Sequence, residues 1–150
     1  MTDQLLMQEA VAQAQAALAM DEVPIGCVVL HRPSGKIIAG AHNRRETRAD
    51  PTAHAEILAL REAAAALGHW RLNDCTLAVT LEPCPMCAAA IGFARLRRLY
   101  FAAYDEKGGG VEHGPRIFEQ PTCHHRPEIY GGIGEARAAR LLRRFFSARR

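Results

Sequence analysis

Four residues of this 150-residue chain are of types that bind metal ions or transfer protons: His54, Glu56, Cys84 and Cys87. Cys84 and Cys87 form a C-x-x-C pair at the predicted start of a helix, where the helix dipole favours thiolates. Such a pair is typical of a metal site or of a redox-active disulfide. The redox interpretation leaves His54 and Glu56 without a function, whereas a metal site can use the histidine as a further ligand.

The spacing of His54 and Glu56 suggests that the two side chains have different functions. Residues two apart on a helix lie on nearly opposite sides of its axis, so we expect one to bind metal and the other to face the substrate. Ligation by His54, Cys84 and Cys87 would leave a coordination position for water, as in a catalytic zinc site. A structural zinc would need a fourth protein ligand. Three residues of a later loop are candidates for it: Cys123, His124 and His125.

The elements that must position these residues can be predicted from hydrophobic patterning. Two short apolar runs, 25–30 and 36–40, flank a Pro-Ser-Gly turn and predict a β-hairpin. Later apolar runs predict strands at 76–80 and 99–103. Helices are predicted in four segments: one after an N-cap at Asp3, one from an N-cap at Thr52 to a stop at Gly68, one at 88–94, and one from Glu135 to about Ser147.

The order of these elements predicts an α/β fold, a three-layer α-β-α sandwich with a mixed, roughly five-stranded sheet. The hairpin should be antiparallel, and the strands connected by helices should be parallel. Residues 105–132 are predicted mostly as loop, although a loop of this length suggests additional short elements. The length of the chain and the absence of a linker predict a single domain over residues 1–150.

The composition points to an ordinary globular protein of a reducing compartment. The hydrophobic fraction is 49% and the charged fraction is 23%. Five cysteines, an odd number, are scattered along the chain, which argues against a secreted disulfide scaffold. The N-terminus lacks signal-peptide features, and no apolar run approaches the ~18 residues of a membrane span. We therefore expect a cytoplasmic protein without membrane association.

The net charge of +3 is distributed unevenly. Residues 1–92 carry 7 Lys/Arg against 10 Asp/Glu, whereas residues 93–150 carry 12 against 6. The C-terminal third is therefore the natural face for a polyanion such as RNA. Its helical arginines are equally consistent with the solvated face and frayed end of an amphipathic helix: Arg137, Arg140, Arg143, Arg144, Arg149 and Arg150.

Two segments, 51–56 with His54-Ala55-Glu56 and 82–87 with Pro83-Cys84-Pro85-Met86-Cys87, resemble the H-x-E and P-C-x-x-C signature of the cytidine-deaminase-like superfamily. Within it, the chain resembles the bacterial tRNA-specific adenosine deaminases over nearly its whole length. It departs from many members at Gly108-Gly109-Gly110 and at residues 123–128, where an Asn-His pair is common. The matching outer segments are Glu22-Val23-Pro24-Ile25-Gly26, Asn43, Asp105-x-Lys107 and Leu141-Leu142-x-x-Phe145-Phe146.

The resemblance implies one zinc ion per chain, held by His54, Cys84 and Cys87, and a hydrolytic deamination in which Glu56 transfers the protons. The substrate it implies is the wobble adenosine of a tRNA anticodon loop, which would become inosine with release of ammonia. It also implies a homodimer in which the neighbouring chain helps to shape each substrate groove. The substrate contacts that follow from the resemblance are Asn43, Pro24, Ala55, Asp105 and Lys107.

Two other functions remain open at this point. A deaminase of free guanine, cytosine or cytidine would use the same metal centre, because pocket shape and flanking contacts select the base. A non-enzymatic alternative is an RNA-binding module with a structural zinc. That module would need a fourth protein ligand and would have no use for Glu56.

Overall fold

A five-stranded mixed sheet lies at the centre of the computed structural model, which describes residues 1–149. Arg150, one of the C-terminal arginines considered above, lies outside the described residues. The elements are α1 (Asp3–Ala19), β1 (Gly26–His31), β2 (Lys36–His42), α2 (Ala55–Leu67), β3 (Cys75–Leu81), α3 (Pro85–Phe93), β4 (Arg98–Ala103), a 3-10 turn (Ile117–Glu119), β5 (Glu128–Gly131) and α4 (Glu135–Ser147).

The strands are arranged in the order β2-β1-β3-β4-β5. β1 is antiparallel to both β2 and β3, whereas β4 is parallel to both β3 and β5. The mixed five-stranded sheet is therefore confirmed. In the parallel pair, Leu81 at the end of β3 lies beside Ala103 at the end of β4. Functional groups that follow these two strands therefore meet at one edge of the sheet, where ligands of open α/β sheets commonly bind.

Helices cover both faces of the sheet. On one face, buried small residues of α2 and the buried Ile91 of α3 pack in a single cluster with Val79 and Phe101 of the sheet. On the other face, Leu6 and Met7 of α1 pack in a second cluster with Ala138 of α4. The predicted three-layer sandwich is confirmed. Among residues 1–149, no helix has both the length and the apolar character needed to cross a membrane.

The segment 105–132 contains two short elements that sequence patterning did not locate. One is the 3-10 turn, and the other is β5, which supplies the fifth strand by pairing with β4 at the sheet edge. β5 has only four residues, and neither Ile129 nor Tyr130 in it is fully buried. Because a short edge strand need not alternate strongly between apolar and polar residues, its signal in the sequence is weak.

Three predicted helix starts differ from the structure. α1 is capped by Thr2, whose Oγ1 accepts a hydrogen bond from the Leu5 N–H at 3.2 Å, and not by Asp3. Thr52 does not cap α2, because its hydroxyl donates to Asp50 Oδ1 at 2.8 Å. The N-cap of α2 is instead His54. α3 begins at Pro85 rather than at residue 88, because the fixed φ of proline suits the first helical position.

Candidate metal centre and active site

The N-termini of α2 and α3 meet and bring together the three predicted metal ligands. His54 is the N-cap of α2, Cys84 is the N-cap of α3, and Cys87 lies in the first turn of α3. His54 Nδ1 lies 3.6 Å from Cys84 Sγ and 3.5 Å from Cys87 Sγ. The three ligand atoms all lie within 4.8 Å of one another. His54 lies about thirty positions before the cysteines in the sequence, and the packing of α2 against α3 brings the three side chains together.

These distances fit a zinc ion. Zinc bonds of about 2.0–2.1 Å to nitrogen and 2.3 Å to sulfur, at tetrahedral angles, would place a nitrogen and a sulfur ligand about 3.6 Å apart. The two observed nitrogen–sulfur distances, 3.6 and 3.5 Å, agree with that separation. One histidine and two cysteines are also a ligand set that zinc prefers, and three protein ligands leave one tetrahedral position free.

The pKa values of the three ligands are shifted in different directions. Hydrogen bonds from Cys87 and His54 lower the pKa of the Cys84 thiol to about 4, although burial opposes this shift. The hydrogen bond to Cys84 and burial hold the pKa of the Cys87 thiol far above its ordinary value. The hydrogen bond with Cys84 also raises the pKa of His54. The sulfur pair therefore shares a proton at neutral pH, and a bound cation would take the place of that proton.

The candidates for a fourth ligand lie elsewhere. Cys123 donates its thiol hydrogen to the His125 carbonyl at 3.2 Å, and His125 Nε2 lies 2.6 Å from the carbonyl oxygen of Leu96. The described residues place neither of them, nor His124, with the His-Cys-Cys group. This loop cluster is therefore tied to the protein backbone, and the structural-zinc alternative lacks its fourth ligand among residues 1–149.

Glu56 is the second residue of α2 and is buried beside the ligand group, with an exposed fraction of 4%. Burial raises the pKa of its carboxyl group to about 7, and the nearby negative charge of Cys84 acts in the same direction. A carboxyl group with a pKa near neutrality can both accept and release a proton at physiological pH. Cys27 is buried close to Glu56, and burial raises the pKa of its thiol, so it remains a neutral core residue.

Three of the predicted substrate contacts are buried. Asn43 is buried directly after β2, and its Oδ1 accepts a hydrogen bond from the Arg45 N–H at 3.0 Å. Ala55 is buried between His54 and Glu56, and Pro24 is buried before β1. The backbone N–H of Asn43 donates to the Ile25 carbonyl at 3.1 Å, which joins the ends of β1 and β2.

The other two predicted contacts, Asp105 and Lys107, follow β4 and line a groove of about 810 Å³. The opposite side of this groove is formed by α4 and includes Arg143 and Phe146. The Phe146 ring is 49% exposed, although an isolated aromatic side chain of a globular protein is usually buried. Arg149 also lines the groove and forms an ion pair with Asp21. The groove therefore combines positive charge with an exposed aromatic face.

Sequence reasoning missed two buried carboxylates that hold loops of the site. Glu22 has an exposed fraction of 1% and accepts hydrogen bonds from the backbone N–H groups of Glu46 and Thr47, at 3.2 and 2.6 Å. Although burial alone would raise the pKa of Glu22, the bonds from Thr47 and Glu46 outweigh it, and the pKa is lowered. Glu22 thereby fixes the loop that follows Asn43.

Glu82 is the second of these carboxylates, with an exposed fraction of 2%. Burial would raise its pKa, but hydrogen bonds from the His113 ring and from backbone N–H groups lower the pKa below its ordinary value. A signal for this role was available in the sequence, since Glu82 directly follows an apolar strand. A charged residue at such a position requires partners, although patterning cannot identify them.

The site combines a His-Cys-Cys group at two helix N-termini with a buried glutamate beside it, in a fold with helices on both faces of a mixed sheet. This combination defines the class of zinc-dependent deaminases. The family model described as the cytidine and deoxycytidylate deaminase zinc-binding region matches residues 1–103. The chain belongs to this family. Zinc is the metal that the family binds, which confirms the predicted cofactor.

Relatives with named activities narrow the comparison. The chain is 53% identical over 144 residues to the tRNA-specific adenosine deaminase of Agrobacterium fabrum, covering 96% of this chain and 93% of the relative. A solved structure from work on A-to-I editing by tRNA:A34 deaminases at the wobble position is 52% identical, with a TM-score of 0.89, and the match covers 92% of this chain and 99% of that one. The guanine deaminase of Nitrosomonas europaea is 26% identical, with a TM-score of 0.80, over 97% of this chain and 85% of that one.

Proposed function

We propose that this chain, acting as a single domain, hydrolyses the wobble adenosine of a tRNA anticodon loop to inosine and ammonia. The observation that carries the proposal is the groove lined by Lys107 of the loop after β4 and by Arg143 and the exposed Phe146 of α4. The tRNA-specific adenosine deaminase of A. fabrum and the tRNA:A34 deaminase are also about twice as similar to the chain in sequence as the guanine deaminase.

The roles we assign within the site follow from burial and protonation. His54, Cys84 and Cys87 would hold the zinc ion, which when bound supplies the Lewis-acid chemistry that makes water nucleophilic at neutral pH. Glu56, with its pKa near neutrality, takes a proton from the attacking water and delivers it to the purine ring nitrogen. It then moves the second proton, that of the hydroxyl group added to the ring carbon, to the amine, which leaves as ammonia as the carbonyl forms. Asn43 contacts the nucleoside from the end of β2.

The pocket walls and the groove have separate functions in this proposal. Pro24 and Ala55, which are both buried, would line the pocket that receives the base. Asp105 and Lys107 contact the neighbouring sugar and phosphate outside that pocket. The bases of a single-stranded loop can be splayed out and stacked on aromatic side chains, which is how proteins read RNA sequence. A flanking base stacked on Phe146 would suit the exposed ring.

The substrate can be tested by comparing two stem-loop RNAs, free adenosine and the free bases guanine and cytosine. An anticodon stem-loop with adenosine at the wobble position should form inosine rapidly. The same stem-loop with this adenosine moved by one position, and free adenosine, should react slowly because they lack the aligned phosphate contacts. Binding of the stem-loop should weaken with salt, with a slope of about −0.7 per neutralised phosphate. Equal rates on all three substrates, or rapid deamination of guanine or cytosine without activity on RNA, would contradict the proposal.

We further infer that the active form is a homodimer. A groove of about 350 Å³ between α2 and α3 is lined almost entirely by apolar atoms. Phe93 and Trp70 line this groove with exposed fractions of 75% and 55%. Large exposed apolar patches on globular proteins usually mark interfaces, and a second copy can cover such a patch symmetrically. The metal ligands lie at the N-termini of α2 and α3, so a dimer interface on these helices would stabilise the active site.

The dimer can be tested by light scattering on the zinc-loaded protein. The wild-type chain should have twice the mass of one chain at micromolar concentration, and Phe93→Asp should have the mass of one chain. The matched control is Tyr130→Asp, which places the same charge on an exposed aromatic residue of β5. A monomeric wild type, or dissociation by both variants, would contradict the assignment.

We also propose a cytoplasmic location, because the two ligand cysteines must remain reduced to bind zinc. All five cysteines are free thiols within the described residues. Fractionation of the native host should recover the protein with cytoplasmic enzymes, and recovery from an oxidising compartment would contradict this.

A further inference from the structure

The carboxylate of Glu82 is surrounded by hydrogen-bond donors from one loop, residues 105–113. Its Oε2 accepts hydrogen bonds from three successive backbone N–H groups, those of Val111, Glu112 and His113, at 3.2, 3.0 and 3.1 Å. Its Oε1 accepts from the Asp105 N–H at 3.1 Å and from His113 Nδ1 at 2.8 Å. Successive N–H groups that converge in this way form an anion-binding nest, and here the anion is a side chain of the same protein.

These bonds connect both ends of the loop to a single buried group. Asp105 lies at one end and His113 at the other, so the Glu82 carboxylate holds the two ends of the loop together. Within the loop, Asp105 Oδ1 accepts hydrogen bonds from the N–H groups of Lys107 and Gly108, at 3.2 and 2.9 Å. The hydrogen bonds to Glu82 therefore set the position of the backbone that carries Asp105 and Lys107.

Two of the three consecutive glycines allow the loop to lie this close. A Cβ atom at Gly109 would lie 2.3 Å from Glu82 Oε2, and a Cβ atom at Gly110 would lie 2.6 Å from the Pro85 backbone nitrogen. The Gly110 N–H also donates to the Pro83 carbonyl at 2.8 Å. The loop is thus pressed against the segment that leads into the metal ligand Cys84, and larger residues would push it away.

His113 is the only side chain among the donors described for Glu82 within residues 1–149. A carboxylate is purely an acceptor, so Nδ1 of His113 must carry the hydrogen. Its ring is in a T-shaped arrangement with the ring of Tyr104, which is in a T-shaped arrangement with the buried Phe101, at centroid distances of 6.2 and 5.1 Å. His113 is therefore held from two sides, by the carboxylate and by an aromatic path into the core.

We propose that His113 is a positioning residue that acts through Glu82 to hold Asp105 and Lys107 at the edge of the substrate groove. This inference rests on the proposed function, because it assigns the two groove residues to RNA binding. Within residues 1–149, His113 is neither a member of the metal-ligand group nor a lining residue of the groove. Loss of its hydrogen bond should therefore affect substrate binding more than the chemical step.

The test compares kinetics of zinc-loaded variants on the anticodon stem-loop. His113→Ala should raise KM about fivefold to tenfold, the scale of one lost charge-assisted hydrogen bond after partial relaxation, and leave kcat and zinc content within about twofold. His113→Asn should restore most of the wild-type KM, because the Asn amide nitrogen can occupy the position of Nδ1 and donate to Glu82. The matched control is His31→Ala, since Nδ1 of His31 lies 2.8 Å from Ser34 Oγ in the exposed turn of the hairpin.

Equal KM values for His113→Ala and His31→Ala, a kcat loss without a KM change, or failure of the asparagine to restore KM would overturn the inference. Amide hydrogen exchange provides a readout that does not depend on the substrate. Exchange in peptides covering residues 104–114 should be faster in His113→Ala and close to wild type in His113→Asn and His31→Ala. Unchanged exchange in His113→Ala would refute the positioning role even if the stem-loop proves not to be the substrate. Failure of the wild-type enzyme on RNA, together with altered exchange, would refute only the proposed function.

Discussion

Glu56 and Glu82 are both almost completely buried, yet their surroundings shift their pKa values in opposite directions. Glu56 lies beside the metal ligands, and burial raises its pKa to about 7. Burial would also raise the pKa of Glu82, but hydrogen bonds from the His113 ring and from four backbone N–H groups lower it. The difference lies in the donors, because hydrogen bonds to a carboxylate stabilise its charged form. A carboxyl group that must exchange protons at neutral pH has few donors, and one that must hold a loop has many.

Glu56 lies beside the metal ligands, and removing one of these ligands should have the largest effect on the enzyme. We expect Cys87→Ala to lose both zinc and all measurable deamination, because two remaining ligands cannot hold the ion against solvent. Metal analysis and inosine formation would be measured on the same preparation. Cys75→Ala is the matched control, since Cys75 is a fully buried thiol on β3 outside the ligand group, and this variant should retain its zinc. Full zinc occupancy in Cys87→Ala would remove Cys87 from the ligand set.

Removing the proton carrier without touching the metal should have the next largest effect. Glu56→Gln should lower kcat by about 10²–10⁴, the usual contribution of general acid–base catalysis. Its zinc content should equal that of wild type, since Glu56 is assigned proton transfer and not ligation. Glu62→Gln, on the exposed side of the same helix, should leave both quantities unchanged. Loss of zinc in Glu56→Gln would show that the carboxylate is a ligand.

The same substitution at Glu82 should reduce stability rather than remove activity. Glu82→Gln replaces a charged acceptor by an amide whose NH2 group faces donors, and we expect a loss of about 3 kcal/mol in the free energy of unfolding at pH 7. Denaturant unfolding of the zinc-loaded protein would measure this loss. A change of less than about 0.5 kcal/mol would mean that the loop does not depend on the carboxylate.

The stability difference between wild type and Glu82→Gln should also depend on pH. Because the folded pKa of Glu82 is lowered, its ionised form stabilises the fold at every pH above the unfolded value of about 4.3. The difference should therefore be constant near neutrality and shrink as the pH falls below about 4. For Glu56 the sign is opposite: its raised pKa costs stability that grows as the pH rises from about 4.3 to 7 and stays constant above that, so the stabilisation of the metal-free protein by Glu56→Gln should grow over the same range.

The smallest effect on stability should come from substituting Gly109, whose backbone lies against the Glu82 carboxylate. Gly109→Ala places a Cβ atom 2.3 Å from Glu82 Oε2 and should cost about 1–3 kcal/mol, as overpacking usually does. Gly108→Ala is the neighbouring control, because its Cβ would lie 3.0 Å from the end of the Asp105 side chain, which can move. Thermal unfolding of both variants would test the difference. Equal stability of the two variants would mean that the loop can shift away from Glu82 at little cost.

The parts of the fold that were predictable have local signals. α4 begins at Glu135 and ends at Ser147, as the amphipathic pattern predicts, and Ala138, Leu141 and Phe145 are buried. Gly68 ends α2 in the left-handed conformation that glycine favours. β5 and the cap at Thr2 were missed, because the edge strand lacks a periodic pattern and adjacent capping residues compete at a helix start.

The sequence by itself determined the chemistry of the metal centre. His54, Glu56, Cys84 and Cys87 have types and short spacings that few other sites require, and each lies at a helix start for local reasons. Only the tertiary structure decided which groups surround the two buried carboxylates, since the donors to Glu82 lie 23 to 31 positions away along the chain. The pKa of a carboxyl group depends on burial and on donors brought by other segments, and neither can be read from its neighbours in sequence. For this reason Glu56 could be proposed from a motif, whereas the partners of Glu82, His113 among them, could be found only in the folded protein.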